Sequence, residues 1–386
     1  MGVNLRDLFP QHPVPPDWYA GKRIAVDGNN LAFRYLSAMR GPDGGPLRNG
    51  HGRAIGHLLG YVNLVRHLRE RGAEPIVVWD GEVHEKKRAT VDERNRLRKN
   101  ADFEAHTLEG ELAQAGVLGP TAFGRLHRAD LAAQLSLLEG LAATDPDAAD
   151  DLAEVRAAVD RAAKLTDAQL GAARTVQLED EVLQAKRRVT RLDPAMIVDC
   201  TELLDALGVA VVRAPHDGER YAAALCRDGH ADAVATEDFD ALVAGAPAVL
   251  RKAGSQQAFL HRLSDLDGHG LTAQQLRWVA ILCGTDWHPG VKGFGAKTAV
   301  KALKDYPDLR VLIREANAGG DGEAGRWHRL VTEAELTLAE FEEMDAFIAD
   351  LPPVGPPRAG TPRPDVAMDL AGRMGLEARR VMACYC

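Results

Sequence analysis

The sequence is short of aromatic residues, of cysteine, of long apolar runs and of net positive charge. Phe, Trp and Tyr make up 5 % of its 386 residues. Five cysteines stand at 200, 226, 283, 384 and 386 with no Cys-x-x-Cys pair. That spacing argues against a zinc site and against a disulfide framework. The terminal Cys384-Tyr385-Cys386 reads as a mobile tail carrying reduced thiols, which points to the cytoplasm. No apolar run reaches the ~18 residues of a membrane span. Met1–Arg6 has no signal-peptide core, and Arg6 stands where an N-myristoylation motif needs Ser or Thr. No membrane partner is therefore expected.

Asp and Glu outnumber Lys and Arg by 56 to 47, a formal charge of −9. Taken alone, that argues against a nucleic-acid partner. Its distribution reverses the argument. Residues 101–183 hold 16 acidic and 6 basic side chains, so the remainder carries about +1. That remainder also holds a set of carboxylates suited to metal ions, which would make it clearly positive when loaded.

Apolar residues form 46 % of the chain, enough for a globular enzyme. Four short apolar runs read as buried strands: Lys22–Asp27, Pro75–Asp80, Val209–Arg213 and Ala231–Thr236. Helical patterns such as Leu58–Arg71 and Met196–Leu207 lie between them. The alternation predicts an α/β fold with a mostly parallel sheet flanked by helices. From about Lys86 to Arg191 the rhythm breaks into continuous helix, interrupted near Gly119-Pro120 and Asp145-Pro146, and this stretch reads as an excursion from the sheet. After Leu271 the chain is helical again. Leu351–Pro357 is a linker, and Pro364–Val381 offers one last short helix.

The informative feature is where the acids fall. Asp27 and Asp80 end the first two strands, Asp217 and Glu219 follow the third, and Asp238 and Asp240 follow the fourth. In a parallel sheet these points share the carboxyl edge, where ligands bind. Asp286, after the apolar helix end Val279–Thr285, can reach the same edge. Each unscreened pair at ~4 Å repels by about 4 kcal/mol at an effective dielectric near 20. The set therefore needs cations or protons. Oxygen-only ligands suit Mg²⁺ or Mn²⁺. Seven acids exceed the needs of one ion, and two ions fit an in-line phosphodiester displacement. A single Asp after a strand is more often a helix cap, but two i, i+2 acid pairs make that explanation poor for the whole set. An Asp-x-Asp phosphatase would need fewer acids.

Basic residues Lys86, Lys87, Arg88, Arg94, Arg96, Arg98 and Lys99 follow Asp80. Lys87 and Arg94 are seven apart, so a helix would put both on one face to grip a scissile phosphate. A solvated face laced by Asp92 and Glu93 is the bland alternative. Val291–Lys297 separates two helices. Gly293 and Gly295 there let backbone amides approach a phosphate, with Lys292 and Lys297 nearby.

In this order, the blocks Ile24–Asn30, Val77–Gly81, Ala214–Glu219, Ala235–Asp240, Ile281–Asp286 and Val291–Gly295 resemble the flap endonuclease family of structure-specific 5′ nucleases. The resemblance covers about residues 1–100 and 184–305. It implies a helical arch inserted in the fold and a helix–two-turn–helix DNA-binding motif. Asp27, Asp80, Asp217 and Glu219 would hold or orient one metal, and Asp238, Asp240 and Asp286 the second. Lys87 and Arg94 match the family's catalytic basic pair. Gly2, Phe33, Arg40, Arg251, Lys252, Lys292, Gly293, Gly295 and Lys297 match DNA-contacting positions, with K⁺ at the Gly293–Gly295 loop. The implied division is a nuclease region over 1–100, a helical insertion over 101–183, a second nuclease region over 184–305, and a helical C-terminal region over 306–386.

Two departures from the family pattern stand out. Asp217 replaces the usual Glu, so its carboxylate is one methylene shorter. The span between the second and third acid blocks is also enlarged. No sliding-clamp peptide is recognisable at the C-terminus, and a monomer is expected. The expected partner is flapped or branched DNA. A Holliday-junction resolvase or 5′ exonuclease of the same superfamily, a non-catalytic DNA-structure-binding protein and a PIN-type ribonuclease are the alternatives.

Overall fold

Seven strands build one sheet: β1 (His12–Pro13), β2 (Arg23–Asp27), β3 (Glu74–Trp79), β4 (Ala210–Arg213), β5 (Ala233–Ala235), β6 (Ala248–Arg251) and β7 (Phe259–Arg262). The computed structural model describes residues 3–142, 148–318 and 325–385. The strand order is β1-β7-β6-β5-β2-β3-β4. Strands β4, β3, β2, β5 and β6 run parallel, whereas β7 and β1 join antiparallel at one edge. The parallel strands carry uninterrupted apolar runs because both sheet faces are covered. Alternate residues divide between two cores. Ala25, Ile76, Val78 and Val234 enter one. Ile24, Val26, Val77, Trp79, Ala233 and Ala235 enter the other. The four expected strands are present. β6 and β7 were not among the strands read from the sequence, and β1 is a two-residue edge piece ending at a proline.

The sheet belongs to a compact unit made of Met1–Met39, Pro46–Glu93 and Arg191–Cys386. Its helices Gly56–Arg69 and Pro194–Ala206 cover the second core, together with Pro364–Met374 and Ala378–Met382. The C-terminus therefore ends in two short helices, and the expectation of a mobile thiol tail fails at Cys384. That side chain is fully buried and its Sγ lies 3.3 Å from the Val62 carbonyl oxygen. Burial pushes its thiol up to about 11. Tyr385 donates its hydroxyl to the Ala206 carbonyl at 2.9 Å. Arg69 caps the carbonyls of Leu207 and Cys384. Cys386 lies outside the described residues.

The other unit comprises Arg40–Gly45 and Arg94–Thr190. Its first helix, Arg88–Leu141, breaks at Gly119, whose φ is 73°, just before Pro120. The expected second break, at Asp145-Pro146, falls outside the described residues. Helices Ala148–Ala162 and Asp167–Val189 complete the unit, the latter opened by a Thr166/Gln169 capping box. Gly124 and Gly171 let two helices meet backbone to backbone: a Cβ on Gly171 would lie 1.9 Å from the Pro120 carbonyl. Arg174 bonds both Glu111 and Glu181 across the same packing.

Candidate active site

Neighbouring parallel strands bring the acids together. Asp27 closes β2, Asp80 follows β3, Asp217 and Glu219 follow β4, and Asp238 and Asp240 follow β5. Since β5, β2, β3 and β4 are adjacent, all six stand at one carboxyl edge. Asp286 reaches them from a tight turn after the helix Ala273–Cys283. Thr285 and His288 close that turn with a 2.8 Å backbone bond, and Val291 N–H returns to the Leu282 carbonyl at 2.8 Å.

The loops after β3 and β4 are tied to each other. Gly81 N–H donates to the His216 carbonyl at 2.7 Å, and Glu82 N–H to the Pro215 carbonyl at 2.9 Å. A Cβ on Gly81 would fall 2.0 Å from the Ala214 carbonyl oxygen, so only glycine fits. Gly218 N–H then donates to Asp80 Oδ1 at 2.7 Å.

Thr236 joins two further acids. Its Oγ1 lies 3.1 Å from Asp27 Oδ2 and 3.2 Å from Glu219 Oε1, and it accepts from Asp238 N–H at 3.3 Å. One hydroxyl hydrogen cannot serve two carboxylates. The hydroxyl can serve only one of them at a time, which leaves the ionised form of the other less well compensated. Burial and the neighbouring Asp80 charge push Asp27 up to about 7. Burial, with Asp27, Asp240 and Asp238 nearby, raises Glu219 well above the carboxylate range. Asp240 accepts the Val3 amide at 3.0 Å, yet burial and Asp238 push it up to about 7. Asp80 is raised chiefly by burial, although Gly218 N–H and Lys87 pull it down.

Lys87 brings positive charge to this set. Its ammonium bonds Asp217 Oδ1 and lies 3.6 Å from Asp286. Burial works against its charge, but Asp217, Glu219 and Asp286 outweigh burial and hold it protonated. Lys87 stands immediately before the helix that carries Arg94. It ends a 3-10 turn, Glu85–Lys87, capped by the His84 ring, and the helix starts at Arg88. Thr90 ties that helix start to the Asp286 turn by donating to the Asp286 carbonyl at 2.8 Å. Arg94 and Arg40 belong to the other unit, where Arg40 donates to Thr190 Oγ1 at 2.8 Å. Among the described residues no three His, Cys, Asp or Glu side chains form a finished metal cage.

The remaining expected residues lie around this centre and beyond it. Phe33 is exposed on the helix Gly28–Ala38. Arg251 and Lys252 gather on Glu237: Arg251 Nε stands 3.7 Å from it, Lys252 N–H donates to it at 2.8 Å, and Arg34 bonds it at 2.7 Å. Lys292, Gly293 and Gly295 are exposed in the turn before the helix Ala296–Asp305, and Lys297 is exposed on its first turn, 3.1 Å from Asp7. Gly2 lies outside the described residues.

Several organising residues escaped the sequence reading. Asn30 donates to Asp238 Oδ2 at 2.9 Å and accepts Glu237 N–H at 3.0 Å. Asn29 accepts Asp80 N–H at 3.1 Å. These asparagines follow Asp27 after a single glycine, and two amides that close to a strand-ending acid were the available signal. Trp287 and Thr236 gave no signal beyond standing next to an acid block.

Comparison with known proteins adds to this geometry. Residues 4–101 match the XPG N-terminal domain and residues 208–286 the XPG I-region. The chain is 31 % identical over 318 residues to flap endonuclease 1 of Methanoregula boonei, spanning 79 % of this chain and 76 % of that protein. Among solved structures, flap endonuclease-1 from Methanococcus jannaschii aligns over 100 % of this chain and 98 % of its own, with a TM-score of 0.62 and 22 % identity. The catalytic core of Rad2 in complex with DNA substrate aligns over 97 % and 94 %, with a TM-score of 0.61 and 16 % identity.

Proposed function

Because the chain belongs to the flap endonuclease family of 5′ nucleases, we propose that the seven carboxylates at the sheet edge are the metal-holding centre where it hydrolyses phosphodiesters. The protein is a structure-specific nuclease of flapped or branched DNA. The observation that carries the proposal is the convergence of acids from four adjacent parallel strands.

The donor set fits divalent cations. It is all oxygen, largely buried, and crowded enough that burial and neighbouring charges raise Asp27, Glu219 and Asp240 above the ordinary carboxylate range. Asp27, Asp80, Asp217 and Glu219 would hold one ion, and Asp238, Asp240 and Asp286 another, Mg²⁺ or Mn²⁺ in each case. Such ions supply the charge that activates water and stabilises the leaving 3′ oxygen. Lys87 leaves Asp217 and Asp286 for the scissile phosphate once the carboxylates are otherwise neutralised. There it offsets negative charge that develops during displacement, with Arg94 in the same role. Phe33 stacks on the base beside the cut. Arg40, Arg251 and Lys252 contact duplex backbone. The Gly293–Gly295 loop, with Lys292 and Lys297, takes downstream duplex together with K⁺.

The test is a panel of flap, nicked, gapped and four-way DNA with Mg²⁺ or EDTA. Cleavage is expected on flaps with Mg²⁺ and none with EDTA. Asp238→Asn is expected to abolish cleavage while retaining flap binding. Cutting above a few per cent of the wild-type rate would show that Asp238 holds no essential ion. Preferential cutting of the four-way junction would move the activity to the resolvase branch of the superfamily.

A further inference from the structure

We infer that Trp287 is a positioning residue, whose indole N–H holds the shortened carboxylate Asp217 in place for cation binding. Three contacts support this. Trp287 Nε1 donates to Asp217 Oδ2 at 3.3 Å. The Lys87 ammonium lies 5.2 Å from the centroid of the same indole ring and bonds the other oxygen of Asp217. The ring is 8 % exposed and is braced edge-on by Phe347 at 5.6 Å.

Asp217 is one methylene shorter than the glutamate usual at this position, and it follows its strand on a loop. An unsupported carboxylate there would rotate between several orientations. Trp287 removes that freedom from outside the carboxylate, and it does so from the turn that presents Asp286. Its own backbone N–H donates to Thr285 Oγ1 at 3.2 Å, which fixes the indole relative to Asp286. When Lys87 departs, Oδ1 is released while the indole keeps Oδ2. The carboxylate then offers one free oxygen in a set orientation. Groups that orient a ligand in this way typically alter metal affinity 10–100-fold on mutation.

The inference rests on the assignment of Asp217 to the metal-holding set, and the test separates the two. Mn²⁺ is titrated into DNA-free protein and followed by the paramagnetic signal of the free ion, for wild type, Asp217→Asn, Trp287→Phe and the double variant Trp287→Phe/Asp217→Glu. Phenylalanine keeps a ring beneath Lys87 and against Phe347 but has no N–H. Asp217→Asn and Trp287→Phe are each expected to weaken Mn²⁺ binding roughly 10-fold, with the melting temperature of Trp287→Phe close to wild type. The longer glutamate of the double variant is expected to restore binding. In single-turnover flap cleavage, Trp287→Phe is expected to shift the Mg²⁺ midpoint upward while leaving the rate at saturating Mg²⁺ nearly unchanged. Unchanged Mn²⁺ affinity in Trp287→Phe alone would overturn the role of the indole and leave Asp217 as a ligand. Unchanged affinity in Asp217→Asn would remove that ligand assignment and the inference with it. Weakened binding that glutamate fails to restore would reduce Trp287 to a packing residue.

Discussion

Asp27, Glu219 and Asp240 lie buried beside other carboxylates, which disfavours their ionised forms. Burial and mutual repulsion raise all three, two of them to about 7. In the unfolded chain these acids ionise in the ordinary carboxylate range. Between that range and about 7 the folded protein therefore binds more protons than the unfolded one, and its metal-free stability falls as pH rises. The metal-free melting temperature is expected to drop by several degrees from about pH 5 to about pH 7.5. A divalent cation must displace these protons, so the stabilisation by Mg²⁺ grows over the same interval. Differential scanning calorimetry with Mg²⁺ or EDTA measures both slopes. A metal-free melting temperature that rose with pH would contradict this raising of the three carboxyls. Lys87 is the second lever at this scale. Lys87→Ala and Arg94→Ala are each expected to slow single-turnover cleavage by about 10²–10³-fold, comparable to loss of one oxyanion-type donor. Flap affinity should change little. For Lys87→Ala a compensating loss of metal-free stability is also expected, because Asp217 and Asp286 lose their counter-charge.

Among the elements, the turn between Ala273–Cys283 and Ala296–Asp305 presents Lys292 and Lys297 to solvent beside glycines that carry no side chain to obstruct a phosphate. Replacing both lysines by alanine is expected to make the slope of log affinity against log salt shallower by up to about 2. An unchanged slope in a filter-binding series would take this turn out of the DNA interface. In the helical unit the decisive contact is the Gly124/Gly171 crossing. A side chain at 171 would strike backbone, which cannot move aside as a flexible side chain does. Gly171→Val is expected to destabilise that unit by about 3 kcal/mol, read as faster proteolysis within residues 94–190. Mg²⁺-dependent melting of the sheet unit should remain. Equal protease resistance in the variant would mean that the crossing tolerates a wider spacing.

For the molecule as a whole, charge is divided unevenly between the sheet unit and the helical one. Residues 101–183 carry an acidic excess that would repel a phosphate backbone, while Lys86–Lys99 and Lys186, Arg187, Arg188 and Arg191 flank it with positive charge. The internal cores and the Arg174 and Arg128 networks hold the acidic stretch together on its own terms. Such a unit would disfavour duplex and admit a flexible single strand. Replacing 101–183 by a short Gly/Ser linker is expected to leave metal-dependent hydrolysis intact and to reduce discrimination between free-ended and blocked 5′ flaps. Unchanged discrimination would assign the acidic unit to partner binding or solubility instead. No helix among the described residues is long and apolar enough to cross a membrane.

The sequence by itself determined the α/β class and the placing of the acids. Parallel strands buried on both faces must be written as short apolar runs, and their carboxyl ends form one edge whatever the packing around them. The order of the acid blocks also carried the family, since each block stands at a strand or helix end. Tertiary structure decided what those acids touch. Thr236 bridging Asp27 and Glu219, Asn30 reaching Asp238, and Trp287 holding Asp217 join residues up to 209 positions apart. No local period encodes such contacts. Cys384 looked like part of a free tail because nothing in Cys-Tyr-Cys announces burial. Its place was settled by the helices Gly56–Arg69 and Pro194–Ala206, whose apolar faces need the C-terminal helices to exclude water.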